Sequence, residues 1–274
     1  MSKLSFSTMG TPGLGAFESI RMARSFGYSG VDLRVSDPQY HGEISPDATS
    51  AEISLIQSVF ASEGIQPSGL FCYCDDGGKD ARSWVRMEES MTRHLEIARR
   101  LGSPSIRIFG GNPGIYAVRD DFIKKTAEVI AGLLQREGQE TSILVQNHTG
   151  NFTAKEVMKL IKLAASPGLR MAYSPDHSVM EGENIDSLLP ELKFAAGQLY
   201  AADVFHTGER FMPVLPGKGT VPLREVFQAL GGASYEGWVT FKWEKIWNKS
   251  LDEPQIALPY FIRFYNNLCR LITV

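Results

Sequence analysis

The chain has 274 residues, of which 43% are hydrophobic and 22% are charged, a composition that argues against disordered, collagen-like and membrane-spanning proteins. Its 28 lysine and arginine residues and 31 acidic residues give a formal net charge of −3, which excludes a strongly cationic surface for nucleic acid or anionic lipid. The first residues lack the apolar run of a signal peptide, and no segment approaches the about 20 apolar residues of a membrane span. We therefore expect a cytoplasmic protein with neither a nucleic-acid nor a membrane partner.

Short β-favouring segments alternate with amphipathic helical segments along the chain. In chain order, the predicted strands lie at residues 4–9, 30–35, 67–74, 105–111, 141–148, 169–174, 198–205 and 238–244. The predicted helices follow them at residues 16–27, 50–64, 84–101, 121–138, 154–166, 184–194, 222–230 and 252–273. Repeated strand–helix units imply parallel strands with right-handed crossovers, and eight units in about 250 residues are typical of a closed (β/α)8 barrel.

The main alternative to a barrel is an open, doubly wound sheet. Such a sheet usually carries a glycine-rich phosphate-binding turn after its first strand, whereas Gly13 and Gly15 supply a fragment of that motif here. No long linker rich in proline or serine interrupts the alternation. We therefore predict one α/β domain over residues 1–274, a (β/α)8 TIM barrel with an extra C-terminal helix.

The cysteines indicate a reducing compartment. Cys72, Cys74 and Cys269 are an odd number, and two of them are separated by a single residue. This spacing predicts reduced thiols rather than a disulfide framework or a zinc site. Cys72 and Cys74 are interpreted as small packing residues.

Polar and ionisable residues are frequent at the predicted strand ends, which is where such barrels place their active sites. Three of the five histidines lie there. The candidate residues at these ends are Asp32, Arg34, Arg107, Gln146, His148, Ser174, Asp176, His177, Tyr200, Asp203, His206, Lys242 and Glu244. Several have structural alternatives: a rim ion pair for Asp32 and Arg34, a loop contact for His148, and a turn or helix cap for Asp176.

Lys242 is the hardest of these residues to explain by structure alone. It lies within an apolar segment from Val239 to Trp243, in the last predicted strand. A lysine in that setting must reach water, a carboxylate or an anionic ligand, because burying its charge without a partner is costly. We therefore expect Lys242 to be part of the site.

Five segments carry a resemblance to a known family. They are FGYSGVDLR (26–34), ILVQNH (143–148), YSPDHS (173–178), PGKGTVPL (216–223) and SYEGWVTFKWEK (234–245). In this order they resemble motifs of the xylose isomerase-like TIM barrels, a group that includes sugar isomerases and epimerases, hydroxypyruvate isomerase, inosose dehydratase and endonuclease IV. The resemblance covers essentially the whole chain and implies the barrel fold, but it does not specify a substrate.

The metal-ligand positions of that family are substituted in this chain. The family holds a divalent metal with Glu on the fifth strand, Asp on the sixth, His on the seventh and Glu on the eighth. By the resemblance, the corresponding residues here are Gln146, Ser174, Tyr200 and Lys242, while His177 matches the histidine of the sixth-strand motif. Hard divalent cations need anionic oxygen ligands. We therefore expect no metal and no other cofactor.

We expect the ammonium group of Lys242 to occupy the position of the metal. Oxygens of Gln146 and Ser174, or of Asp176, would accept its hydrogen bonds. A relocated metal site is the alternative. It would be built from two carboxylates and two imidazoles, those of Asp176, His177, Asp203 and His206.

Two functional hypotheses follow. The first is a metal-independent isomerase or epimerase of a sugar, sugar phosphate or polyol, or a lyase acting beside a carbonyl. In this hypothesis Lys242 stabilises an enediolate and His148 or His177 moves protons. Glu244 is a candidate base paired with Lys242. The predicted substrate-binding residues are Arg34, Arg107, Gln146, Ser174, Asp176, Tyr200, His206 and Lys218. Among these, Arg34, Arg107 or Lys218 would hold a phosphate or carboxylate.

The second hypothesis is a catalytically silent homologue that binds a sugar as a sensor or regulatory protein. An endonuclease-like function is disfavoured, because it would require a three-metal cluster and a cationic face. In both hypotheses the partner is a small sugar or polyol, and a homo-oligomer is left open.

Overall fold

The computed structural model describes residues 3–37, 39–74, 76–80, 82–208 and 210–272. Within those residues, eight parallel strands close into a barrel, in the spatial order β1-β10-β7-β6-β5-β4-β3-β2. The barrel strands are β1 (Lys3–Ser7), β2 (Gly30–Arg34), β3 (Gln66–Phe71), β4 (Ser105–Ile108), β5 (Ser142–Gln146), β6 (Leu169–Tyr173), β7 (Ala196–Ala201) and β10 (Trp238–Phe241). The predicted α/β TIM barrel is confirmed.

Helices surround the barrel and connect successive strands. They are α1 (Ala16–Phe26), α2 (Ser50–Glu63), α3 (Ser83–Leu101), α4 (Arg119–Glu137), α5 (Ala154–Ala164), α6 (Pro175–Met180), α7 (Leu189–Ala195), α8 (Leu223–Leu230) and α9 (Pro254–Ile272). α9 is the predicted C-terminal helix, of which residue 273 lies outside the described residues. None of the helices in the described part of the chain is both long and apolar enough to cross a bilayer.

Local sequence explains where several of these helices begin and end. α2 and α5 start with reciprocal capping bonds, Thr49 with Glu52 and Thr153 with Glu156, which satisfy backbone N–H groups that the helix leaves free. α2 stops at Gly64, whose φ of 66° is a left-handed conformation that glycine adopts without strain. These ends set the point at which each chain segment returns to the barrel.

The predicted seventh strand, residues 198–205, was wrong in its second half. The barrel strand β7 ends at Ala201, and Asp203 starts β8 (Asp203–His206), which pairs with β9 (Phe211–Val214) as an antiparallel hairpin outside the barrel. Only Ala202 separates the two strands in the chain, so sequence alone did not distinguish them.

Two other boundaries move residues of the predicted site off the strands. β10 ends at Phe241, so Lys242 and Glu244 follow the strand instead of lying within it. The short helix α6 begins directly after Ser174 with Pro175 in its first turn, a position where proline suits a helix, and it carries Asp176 and His177. All four residues are therefore at the C-terminal end of the barrel, as predicted.

Candidate active site

The ammonium group of Lys242 lies at the C-terminal end of the barrel and has partners for its three protons. Its Nζ is 2.9 Å from Oδ2 of Asp176, 3.2 Å from Oε1 of Glu244 and 2.9 Å from Nε2 of His177. Burial opposes the charge, but the two carboxylates outweigh it and raise the pKa of Lys242 above its usual value. Lys242 is therefore a fixed cation. The expectation that Asp176 would accept its ammonium agrees with this geometry, whereas Gln146 and Ser174 bind elsewhere.

Two histidines are adjacent to this cation. Their rings are 4.0 Å apart, and burial, followed by the charge of Lys242, lowers the pKa of both, that of His148 to about 4. An ammonium has no lone pair, so Nε2 of His177 must accept from Lys242. Nδ1 of His177 faces Thr149, 2.9 Å from its Oγ1 and 3.3 Å from its backbone nitrogen. His148 donates from Nδ1 to the carbonyl of Thr149 at 2.9 Å, and its Nε2 is an acceptor with no hydrogen-bond partner among the described residues. His148 is a neutral imidazole with an available lone pair.

Gln146, Ser174 and Arg107 form a second buried network. Nε of Arg107 donates to Oε1 of Gln146, and Nε2 of Gln146 donates to Oγ of Ser174 at 2.8 Å. The guanidinium carbon of Arg107 lies 3.5 Å from the ring centroid of Phe71 and 3.8 Å from that of Phe109. Burial lowers the pKa of Arg107 to about 10, so it remains charged at neutral pH.

These two networks border one cavity of about 330 Å³ at the barrel mouth, a volume suited to a small metabolite. Its lining residues are Met9, Tyr40, Phe71, Tyr73, Arg107, Phe109, Gln146, His148, Thr149, Gly150, Asn151, Lys242, Glu244 and Trp247. A second, smaller space of about 60 Å³ lies on the other side of Lys242, between Asp176 and the β8–β9 hairpin. Lys242 thus separates an open cavity from a small interior chamber.

The aromatic part of the cavity wall was largely missed from the sequence. Tyr40 stacks on Tyr73 at 4.7 Å and meets Trp247 edge-on at 5.0 Å. Tyr40 and Trp247 lie in irregular segments far apart in the chain, so no periodic pattern connects them. Flat aromatic surfaces of this kind suit the apolar faces of a ring-shaped ligand.

Tyr200 is buried below the cavity and faces Asp32 across the barrel. Its hydroxyl donates to Oδ2 of Asp32 at 2.9 Å, while Oδ1 of Asp32 has no hydrogen-bond partner among the described residues. Burial raises the pKa of Asp32 to about 7, although the bond from Tyr200 and the charge of Arg107 act in the opposite direction. The ion pair of Asp32 with Arg34, which was the structural alternative for these residues, was wrong, because Arg34 binds Glu43 at 2.7 Å.

Three other predicted residues lie outside the cavity. Lys218 is exposed, with its Nζ 5.4 Å from the ring centroid of Tyr260. His206 is exposed on the hairpin and stacks on Phe211. Asp203 accepts backbone N–H groups of Gly217, Gly219 and Val221 at 2.8–3.1 Å, which explains its burial as a loop anchor.

The residues present do not fit a divalent metal at the position that the family resemblance implies. Gln146 and Ser174 are already bonded to Arg107 and to each other, Tyr200 donates to Asp32, and Lys242 is itself a cation. Two buried positive charges in this region repel a third. Across the described ranges, no group of three or more His, Cys, Asp and Glu side chains is arranged to hold a metal, and Asp203 and His206 of the alternative site are engaged elsewhere.

Comparison with known proteins agrees with the fold. Comparison with curated proteins gave no sequence match. Among solved structures, the chain is similar to a xylose isomerase domain protein from Planctomyces limnophilus (16% identity, TM-score 0.73, 99% of this chain and 97% of that chain covered). It is similar to D-psicose 3-epimerase from Clostridium cellulolyticum H10, solved with D-tagatose (12%, 0.77, 98% and 99%), and to the IOLI protein, solved with a bound zinc atom (15%, 0.73, 99% and 95%).

Identities this low show a shared fold and no more. The sequence itself, however, matches the family model described as xylose isomerase-like TIM barrel over residues 20–258, which is most of its length. The chain therefore belongs to the xylose isomerase-like TIM barrel family.

Proposed function

We propose that this protein is a metal-independent isomerase or epimerase of a small polyhydroxylated carbonyl compound, that is, a sugar or a sugar derivative. The observation that carries the proposal is the cavity in which a fixed ammonium, Lys242, lies beside a neutral imidazole, His148. The fold shared with a 3-epimerase supports the sugar class. The substituted metal-ligand positions support chemistry without a metal.

Isomerisation and epimerisation both begin by removing a proton from a carbon next to a carbonyl. The C–H bond breaks, its electron pair forms a C=C bond, and the carbonyl oxygen takes up the negative charge of an enediolate. The ammonium of Lys242 stabilises that oxygen by charge and hydrogen bonding. Return of the proton to the opposite face of the same carbon gives the epimer. Its return to the former carbonyl carbon gives the isomer when the hydroxyl proton of the adjacent carbon also passes to the former carbonyl oxygen, so that the two oxygens exchange roles.

A substrate oxygen must replace one of the three groups that are bonded to Nζ of Lys242. Glu244 is the exchangeable one, because its contact is the longest at 3.2 Å and its side chain is 31% exposed, against 6% for Asp176. The charge of Lys242 lowers the pKa of Glu244, so release from Lys242 makes Glu244 a stronger base. His148 and Glu244 are then the two proton carriers. His177, whose Nε2 is occupied, positions Lys242.

The hydrogen bonds that Lys242 already makes favour a second function. All three of its protons are bonded and Glu244 is held as a weak base, as expected for a protein that binds a sugar without transforming it. Such a protein would act as a sensor or regulatory subunit. This alternative differs from the first in one measurable respect, which is exchange of the substrate C–H proton.

Proton exchange in deuterated water tests the proposal. Proton NMR of a panel of aldoses, ketoses and their phosphates is expected to show deuterium entering the carbon next to the carbonyl of at least one compound. Lys242→Met should abolish this exchange, whereas Lys193→Met, which removes an exposed lysine of α7, should leave it unchanged. Tight binding without exchange would instead support the sensor function.

A further inference from the structure

Arg107 is a buried cation without a carboxylate partner. Its side chain is 1% exposed, and within the described part of the chain no Asp or Glu oxygen lies within 4 Å of its guanidinium nitrogens. Its hydrogen bonds go to neutral oxygens, those of the Gln146 amide and the Cys72 backbone carbonyl. Other inward-facing cations differ, since Arg34 binds Glu43 and Lys242 binds Asp176 and Glu244.

Proteins seldom bury a guanidinium in this way, because taking the charge out of water is costly unless it is paired. The aromatic rings of Phe71 and Phe109 compensate part of the charge and shield it from solvent, but they do not neutralise it. Arg107 also lines the cavity at the barrel mouth. The missing partner is therefore expected to be an anionic group of whatever occupies that cavity.

The guanidinium still has donors for such a group. Nε is bonded to Gln146 and Nη1 to the carbonyl of Cys72 at 3.3 Å, whereas Nη2 has no hydrogen-bond partner among the residues described. An arginine has five N–H donors in one plane, and its terminal pair matches the two oxygens of a carboxylate. The two bonds already made hold that plane in one orientation.

The charges around the cavity favour a carboxylate over a phosphate. Among the described residues, Lys242 has two carboxylates beside it, whereas the positive charge of Arg107 has no Asp or Glu oxygen within 4 Å. A carboxylate matches that charge, whereas a phosphate ester carries about −1.5 to −2 at neutral pH. Lys218, which could have supplied a second charge, lies outside the cavity.

We propose that Arg107 binds a carboxylate group of the substrate, so that the substrate is a sugar acid with its carboxylate at Arg107 and its reacting carbonyl at Lys242. The placement of the carbonyl at Lys242 rests on the proposed function, whereas the placement of the carboxylate at Arg107 does not. The ring of His148 lies 4.8 Å from that of Phe109, which contacts Arg107, and 4.0 Å from that of His177, which contacts Lys242.

Matched ligands test the proposal on the unmodified protein. Isothermal titration calorimetry compares D-glucuronate, D-glucose and D-glucose 6-phosphate, and then the corresponding galactose series. In each series the uronate is expected to bind at least tenfold more tightly than the neutral sugar and the sugar phosphate. Equal or tighter binding of the neutral sugars or of the phosphates overturns the proposal, as does a panel in which no carboxylate is preferred.

Two variants then assign the preference to Arg107. Arg107→Met should lose at least tenfold in affinity for the uronates with less than a twofold change for the neutral sugars, while Arg136→Met, which removes an exposed arginine of α4, should change neither. Retained discrimination in Arg107→Met overturns the proposal. If that variant does not fold, Arg107→Lys keeps the charge but loses the paired N–H geometry and should weaken the uronate preference.

The same experiments separate the two proposals. Arg107-dependent uronate binding without C–H exchange would remove the isomerase function but keep the carboxylate site. Exchange of a neutral sugar with no preference for carboxylates would keep the isomerase function but remove the carboxylate site.

Discussion

Lys242 shows how one side chain can take over the position of a bound ion. The chain places an ammonium where its family resemblance implies a metal ligand, and Asp176 and Glu244 surround that ammonium at 2.9 and 3.2 Å. In the proposed reaction, this tethered cation supplies positive charge at the reacting oxygen, although it lacks the Lewis acidity of a metal.

Lys242→Met is expected to affect stability as well as proton exchange. It leaves the carboxylate of Asp176 buried without a counter-charge, and breaking a buried ion pair in this way costs about 3–5 kcal/mol. Urea denaturation of the variant and of Lys242→Met/Asp176→Asn measures the effect. The double variant should recover most of the loss, and no recovery would show that Asp176 is not the strained partner.

Asp32 is expected to make stability fall as the pH rises. Burial raises its pKa to about 7 in the folded protein, whereas an aspartate in the unfolded chain titrates near 3.9. Between about pH 4 and 7 the folded state therefore holds a proton that the unfolded state has lost, so the free energy of unfolding decreases by about 1.4 kcal/mol per pH unit from this group and levels off above pH 7.

Asp32→Asn isolates this contribution, because the amide stays neutral and still accepts the bond from Tyr200. The difference in free energy of unfolding, variant minus wild type, should increase from pH 5 to pH 7 and then remain constant. Denaturant titrations at four pH values measure it. A difference that does not change with pH would show that Asp32 is charged in the folded protein throughout.

At the scale of elements, the β8–β9 hairpin borders the smaller chamber behind Lys242, and its position depends on Asp203. That carboxylate accepts three backbone N–H groups from residues 217–221, and a Cβ on Gly219 would lie 2.2 Å from its Oδ1. Asp203→Ala is expected to destabilise the protein by more than the about 1.5–3 kcal/mol that a single hydrogen bond to a charged group is worth.

Hydrogen exchange identifies the cause of that loss. The amides of Gly217, Gly219 and Val221 should exchange faster in Asp203→Ala, while those of the distant helix α2 should keep their protection relative to the global stability. Asp186→Ala, which removes an exposed aspartate, serves as the control and should change neither quantity. Unchanged protection at residues 217–221 would contradict the anchoring role of Asp203.

The barrel could be predicted from the sequence because it depends on local periodicity, whereas the site depends on pairings between distant segments. Alternating strand and helix patterns located all the barrel strands within a few residues. Nothing local distinguishes Arg34 from Arg107, yet one binds Glu43 from an irregular loop and the other has neutral partners. The hairpin was missed for the same reason, since β8 reads as a continuation of β7.

At the scale of the whole molecule, the barrel mouth combines two fixed cations with two carboxylates and so has little net charge of its own. Its family resemblance implies a mouth of the opposite design, in which carboxylates and a histidine surround a removable ion. Because Arg107 and Lys242 are covalently part of the chain, their charges cannot be removed by a chelator. The protein should therefore respond to chelation differently from a metal-dependent relative.

We expect the purified protein to carry no stoichiometric divalent metal at Gln146, Ser174, Tyr200 and Lys242, because these side chains provide no carboxylate and lie beside two buried cations. Elemental analysis of protein prepared without chelator measures the metal content, and dialysis against EDTA should change neither the thermal midpoint nor the rate of proton exchange. A full equivalent of zinc or manganese coordinated by Gln146 in the wild type would contradict this argument, because an ion there requires Arg107 to release the Gln146 oxygen that it now occupies.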